Sequence, residues 1–177
     1  MVVIGVYDHS GLTAREAARL IQIADRAFSH SGIHIMWRHC LGVLALPSGT
    51  TCNGEIPFNQ IVVNLQPYGA RTANHDTRLC MGHASVNPAG GYSASVFAST
   101  VREQAAGFGV AFDLLMGYAV AHEVGHCLLG PGHSYVGLMR GVWNGKDAQE
   151  ISQLSLHLTK QERRRAVARI VWLNQRP

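Results

Sequence analysis

The chain has 177 residues, a length that fits one domain with a real core. Hydrophobic residues make up 47% and charged residues 15%, which excludes an extended disordered chain, and no apolar run approaches the roughly 18 residues that span a bilayer. The net charge of +4 is carried mostly by arginine, and Arg163, Arg164 and Arg165 sit together on one late segment; without interleaved aromatics over a wide surface, this argues against a nucleic-acid binder.

Val2 to Asp8 reads as a strand that ends at His9-Ser10-Gly11. Thr13-Ala14-Arg15-Glu16 is a capping box, in which threonine and the glutamate three places on satisfy each other's backbone amides. A helix follows to about His30, with Ala17, Leu20, Ile21, Ala24 and Phe28 on its apolar stripe, and Ser31-Gly32 stops it. Ile33, Ile35 and Trp37 alternate with His34, Met36 and Arg38, the pattern of a half-buried strand, so the opening suggests a parallel strand–helix–strand crossover. Ile61 to Leu65 is a third strand. Met81–Asn87 and Tyr92–Ser99 form a strand pair joined through Pro88-Ala89-Gly90-Gly91. Val101–Ala106 reads as a short helix broken by Gly107 and Gly109, and a long apolar helix runs from about Val110 to Leu129. Gly130-Pro131-Gly132 is a firm stop. A second capping box, Thr159-Lys160-Gln161-Glu162, opens a last helix to about Leu173.

No repeat, low-complexity tract or linker interrupts this order. None of the four cysteines forms a C-x-x-C pair, which argues against a cysteine zinc site or a thioredoxin-like motif. Cys40 and Cys52 flank a loop-like segment, where a disulfide would contribute roughly 3 kcal/mol; two reduced thiols are the alternative. The first residues, Met1-Val2-Val3-Ile4-Gly5, lack a basic region and a cleavage site, so no signal peptide is read in the chain as given. That leaves either a protein that stays in the cytoplasm or a mature form given an initiator Met, and the expected disulfide favours the second, secreted or periplasmic, reading.

The chemistry is concentrated in His122-Glu123-Val124-Gly125-His126, inside the long helix. Histidines four apart lie on one helical face, one turn above the other, so both imidazoles can reach one metal ion. The glutamate between them stands near enough to draw a proton from water at that ion without being a ligand. From Leu114 to Leu129 the helix is otherwise apolar on every face and is expected to be buried, where a carboxylate and two imidazoles are costly unless paired or bound to metal. The non-metallic alternative is a pair of core histidines bonded to backbone carbonyls, with Glu123 paired to an arginine. Gly117, Ala121 and Gly125 recur every four residues, and two glycines inside a helix imply a close neighbour, expected to be the sheet.

A catalytic zinc usually has three protein ligands and one open position. After the helix stop, the glycines let the chain reverse and bring His133 back towards the metal, and Met139 is placed to form an apolar floor or simply part of the core. The run from His122 through His126, Gly130 and His133, with Met139 shortly after, resembles the metzincin metallopeptidases, whose pattern is H-E-x-x-H-x-x-G-x-x-H followed by a methionine turn. Here one additional residue separates His126 from Gly130, as in metzincin-like bacterial proteins with a longer turn.

The resemblance implies an α/β (α+β zincin) fold: a mixed, twisted sheet of about five strands, a long active-site helix, and a small C-terminal helical subdomain. It divides a single catalytic domain into residues 1–130 and 131–177. It also implies Zn(2+) as cofactor, His122, His126 and His133 as ligands, Glu123 as general base and acid, and hydrolysis of peptide bonds in a peptide or protein substrate by a monomer. Met81–Asn87 would be the sheet edge above the metal. In some metzincins a tyrosine two residues beyond the methionine supports the site; Gly141 stands there, leaving Tyr135 or Arg140 as candidates for the oxyanion. The rival readings are a zincin whose third ligand is a carboxylate, Glu150 or Asp147, and a zinc-binding module without turnover. Cys127 is a poor inhibitory ligand, because it lies about 100° round the helix from His126.

Overall fold

The computed structural model describes residues 2–41, 60–69 and 80–175. Cys52 lies outside them, and with it the expected Cys40–Cys52 bridge. Five strands form one sheet in the order β2-β1-β3-β5-β4. They are β1 (Val2–Asp8), β2 (Ile35–Leu41), β3 (Gln60–Gln66), β4 (Gly82–Asn87) and β5 (Gly90–Phe97). β1 lies parallel to both β2 and β3, β3 lies parallel to β5, and β4 runs antiparallel on the outside of β5. This is the expected mixed sheet of about five strands, with the 81–87 segment at its outer edge.

The helix α1 (Ala14–Ser29) connects β1 to β2 and starts at the predicted box, with Thr13 N bonded to Glu16 Oε2 at 2.8 Å. Its buried face is Ala17, Leu20, Ile23, Ala24, Ala27 and Phe28, while Ile21 is only half-buried at the margin. The strand pair closes tighter than the turn residues suggest. β5 already begins at Gly90, and Ala98 and Ser99 belong to α2 (Ala98–Phe108) rather than to the strand. α2 runs through Gly107, where a side chain would meet nothing within 4 Å, and ends at Gly109. Burial of Ala98, Val101 and Ala105 outweighs the roughly 1 kcal/mol that one helical glycine costs.

The helix α3 (Phe112–Leu129) is the centre of the molecule: every residue from Leu115 to Leu129 is buried. It packs on α1, β4, β5, α2 and α5, which cover most of its surface. Two further helices follow, α4 (Gly145–Ser152) and α5 (Lys160–Asn174). α5 opens on the second predicted box, whereas α4 was not anticipated. Its Asn144 accepts from the amides of Lys146 and Asp147, and the Asp147 carboxylate accepts from Asn144 N. Leu138, Met139, Trp143, Ile151, Leu156 and Ala166 join the same core as the sheet and α3.

The strip of small residues on α3 has two partners, and neither is the sheet. A Cβ at Gly117 would lie 2.6 Å from the Ile23 Cβ and 2.8 Å from the Leu20 carbonyl oxygen, so the close neighbour there is α1. A Cβ at Gly125 would collide with the sulfur of Met139. The reason lies in the packing order. The sheet approaches α3 closely elsewhere and through glycines of its own, a Cβ at Gly90 standing 2.5 Å from Cys127 O, whereas α1 and the 139 turn press against the two glycines of the helix.

Candidate metal centre

His122 and His126 leave α3 on one face, one turn apart, and each ring is aimed by a backbone carbonyl. His122 Nδ1 donates to Leu138 O at 2.8 Å, and His126 Nδ1 donates to Gly130 O at 3.3 Å. A carbonyl only accepts, so both rings carry their proton on Nδ1 and expose a lone pair on Nε2. The chain stops at Gly130 (φ 89°) and turns back through Gly132 (φ 102°), both in a region that glycine enters without strain. This return brings the exposed His133 into the group: its Nε2 lies 3.2 Å from that of His126, which lies 3.1 Å from that of His122.

Lone-pair nitrogens at that spacing repel one another unless a cation lies between them. Three convergent imidazole nitrogens are a donor set suited to a borderline divalent ion. Among the described residues this is the one group of three histidine, cysteine or carboxylate side chains close enough to share an ion. Burial and the neighbouring His126 hold His122 down at about 3, and burial also lowers His126, so both rings are neutral and ready to coordinate at neutral pH.

Glu123 lies beside the ligands, 6% exposed, and no arginine or other described residue pairs with it. Burial pushes its carboxyl up to about 8. Its space is made by β4: a Cβ at Gly82 would stand 2.5 Å from Glu123 Oε1. The Met139 side chain sits against Gly125, 2% exposed, as part of the core. Trp143 meets the His122 ring edge-on, with centroids 5.6 Å apart. Gly141 lies flush against His133, where a Cβ would be 2.9 Å from the ring.

These groups line a cleft of about 520 Å³. Residues of β4, of α3 and of the segment 140–143 line it, together with Gln104 and Phe108 of α2. Arg140 is among its lining residues. Tyr135 is not, and stands 93% exposed. The two carboxylates considered as third ligands are engaged elsewhere. Asp147 accepts from Asn144 N at 2.8 Å and from Arg140 Nη1 at 3.2 Å, and Glu150 faces Lys146 at 3.9 Å. Cys127 points towards the sheet, 3.7 Å from Ser93 O, and burial raises its thiol to about 12.

Sequence reasoning found the histidines and the carboxylate through their spacing. It noted Gly82 as a small residue of the edge strand and Gly141 beyond the methionine, but not that they lie against Glu123 and His133, nor that Trp143 lies edge-on to His122, because such contacts leave no local pattern.

No protein-family model and no curated protein matches the chain. Solved structures do. A zinc-dependent peptidase from Methanocorpusculum labreanum superposes with a TM-score of 0.60 at 12% identity, covering 92% of this chain and 99% of the other. Archaemetzincin from Methanopyrus kandleri gives a TM-score of 0.63 at 12% identity and covers 96% of each chain. Metalloproteinase-II from Bacteroides fragilis gives 0.58 at 14% identity, covering 95% of this chain and 52% of that one. At such identities the likeness is one of fold.

Proposed function

We propose that the chain is a zinc-dependent peptidase of the metzincin type. The observation that carries this reading is the convergence of three imidazole Nε2 atoms beside a buried, unpaired carboxyl that comes from the same turn of helix. A fold shared with zinc peptidases supports it.

His122, His126 and His133 hold the ion. When bound, zinc supplies Lewis acidity, which makes a water more acidic and polarises the scissile carbonyl. Glu123 takes the proton of the attacking water on a carboxylate oxygen and hands it to the leaving amine. The carbonyls of Leu138 and Gly130 keep the two helix histidines turned towards the ion. Residues 1–130 supply the sheet and α3, and residues 131–177 supply the third histidine and the methionine beneath the site. An extended substrate adds to the outer side of β4, the last strand of the described sheet, where Gly82 and Ala84 leave the backbone accessible.

Metal analysis of the purified protein beside a protease assay tests the proposal. Glu123→Ala keeps the fold and one zinc per chain but loses about 10²- to 10⁴-fold in turnover. His133→Ala lowers zinc affinity by orders of magnitude, whereas Glu150→Ala and Asp147→Ala do not. A Glu123→Ala protein that hydrolyses peptides as fast as wild type would remove the general-base role. Zinc lost on removing a carboxylate, but kept on removing His133, would remove the metzincin assignment.

A further inference from the structure

The cleft walls are largely apolar or uncharged, and Arg140 is the one lysine or arginine among the described residues that line it. Its backbone is fixed to the loop that carries His133: Ser134 N donates to Met139 O at 2.9 Å, and Ser134 and Arg140 form a β-bridge. Its head group is fixed to the start of α4, where Nη1 donates to Asp147 Oδ2 at 3.2 Å. Asp147 is 3% exposed and is itself held by Asn144 N, so the carboxylate serves as a rigid bracket. The Arg140 side chain remains 30% exposed. A guanidinium has five N–H donors in a planar fork, and among the described residues only one is occupied. A cation that only neutralised Asp147 would have no need to line the cleft.

We propose that Arg140 receives a carboxylate of the substrate and makes this a peptidase selective for acidic ligands. The inference rests on the peptidase reading for its substrate class. The carboxylate belongs either to an Asp or Glu side chain or to the free C-terminus of a short peptide. Both present two oxygens to the fork, and a fixed guanidinium binds them by charge-assisted hydrogen bonds.

The test uses the full chain loaded with zinc and a panel of fluorogenic peptides. In one arm Glu replaces Gln at each position of C-terminally amidated peptides; in the other, Gln peptides carry a free instead of an amidated C-terminus. Wild type favours at least one carboxylate peptide over its neutral partner by about tenfold or more in kcat/KM, mainly through KM, and the responding arm identifies the source. Arg140→Gln abolishes that ratio, and Arg140→Lys retains part of it. Equilibrium binding of the same peptides to Glu123→Ala, with and without Arg140→Gln, measures the preference without turnover. A failure of the peptidase reading therefore leaves this comparison intact. Equal affinity of wild type for both members of every pair would overturn the proposal. So would an Arg140→Gln variant that weakens all peptides equally, since Arg140 would then be only the counter-ion of Asp147.

Discussion

Around the cleft, three glycines are fixed by what lies opposite them. A methyl group at Gly82 would take the place of the Glu123 carboxyl, so Gly82→Ala is expected to keep the zinc while lowering turnover at least tenfold, a smaller loss than the roughly 10²- to 10⁴-fold of removing a general base outright. Peptidase assays on the zinc-loaded variant check this, and unchanged activity would mean that Glu123 has another place to go. At Gly125 the obstacle is the Met139 sulfur. Gly125→Ala overpacks the core and costs about 1–3 kcal/mol, read as a lower urea midpoint. The reverse change, Met139→Ala, leaves a cavity and costs about 2–5 kcal/mol. At this scale the sequence was legible wherever chemistry demanded a particular side chain. His122, Glu123, His126 and His133 stand out because few other arrangements use those types at that spacing. Gly82 and Gly141 do not, because the constraint comes from atoms distant in sequence.

Among the helices, those that open with a threonine and a glutamate three places on were readable before any coordinate, and α1 and α5 begin where their boxes predict. α4 follows the same rule in different residues, Asn144 and Asp147, which are less distinctive in sequence than a threonine followed three places on by a glutamate. Its carboxylate is spent on Asn144 N and Arg140. Asn144→Ala should therefore cost about 1 kcal/mol in chemical denaturation, the usual effect of losing an N-cap. Asp147→Ala should cost more, because it removes both the reciprocal cap and the partner of Arg140. Equal costs would show that the ion pair contributes nothing to the fold. α2 was read too short for a different reason: propensity counts its glycines, but packing against α3 decides its length.

Taken whole, the metal-free protein carries buried groups that pull stability in opposite directions with pH. His122 and His126 are held below their ordinary value of 6.5, as is His157, where burial is the main cause and the stacked His30 ring adds to it. Below 6.5 the unfolded chain binds protons that the folded chain refuses, so this contribution is complete above 6.5 and is lost as pH falls towards the depressed values. Glu123 acts the other way. Its carboxyl is raised from 4.5 to about 8, so the unfolded chain ionises first, and stability is lost as pH rises from 4.5 through 8. Above 6.5 Glu123 alone of these groups still changes, so their combined contribution to the metal-free protein falls with rising pH there. Denaturation with chelator present should show a decline from pH 6.5 to 8 that Glu123→Gln abolishes. The same decline in Glu123→Gln would assign it to other groups.

The sheet order has a consequence for how the chain assembles. β1 lies between β2 and β3, and its second partner, paired from Gln60 onward, is far along the chain. β4 and β5 meet across a short turn, and the three imidazoles all come from the single stretch 122–133. Contacts between distant residues must overcome a larger loop-closure entropy before they repay it, so they form late. The hairpin and the histidine-bearing helix with its turn are thus the local part of the fold, and the pairing of β1 with β3 is expected to form later than they do. A nascent chain can pair its first strand with β2 but holds that strand's other edge open until β3 has been made, while the ligand set is complete within one short segment once that segment emerges.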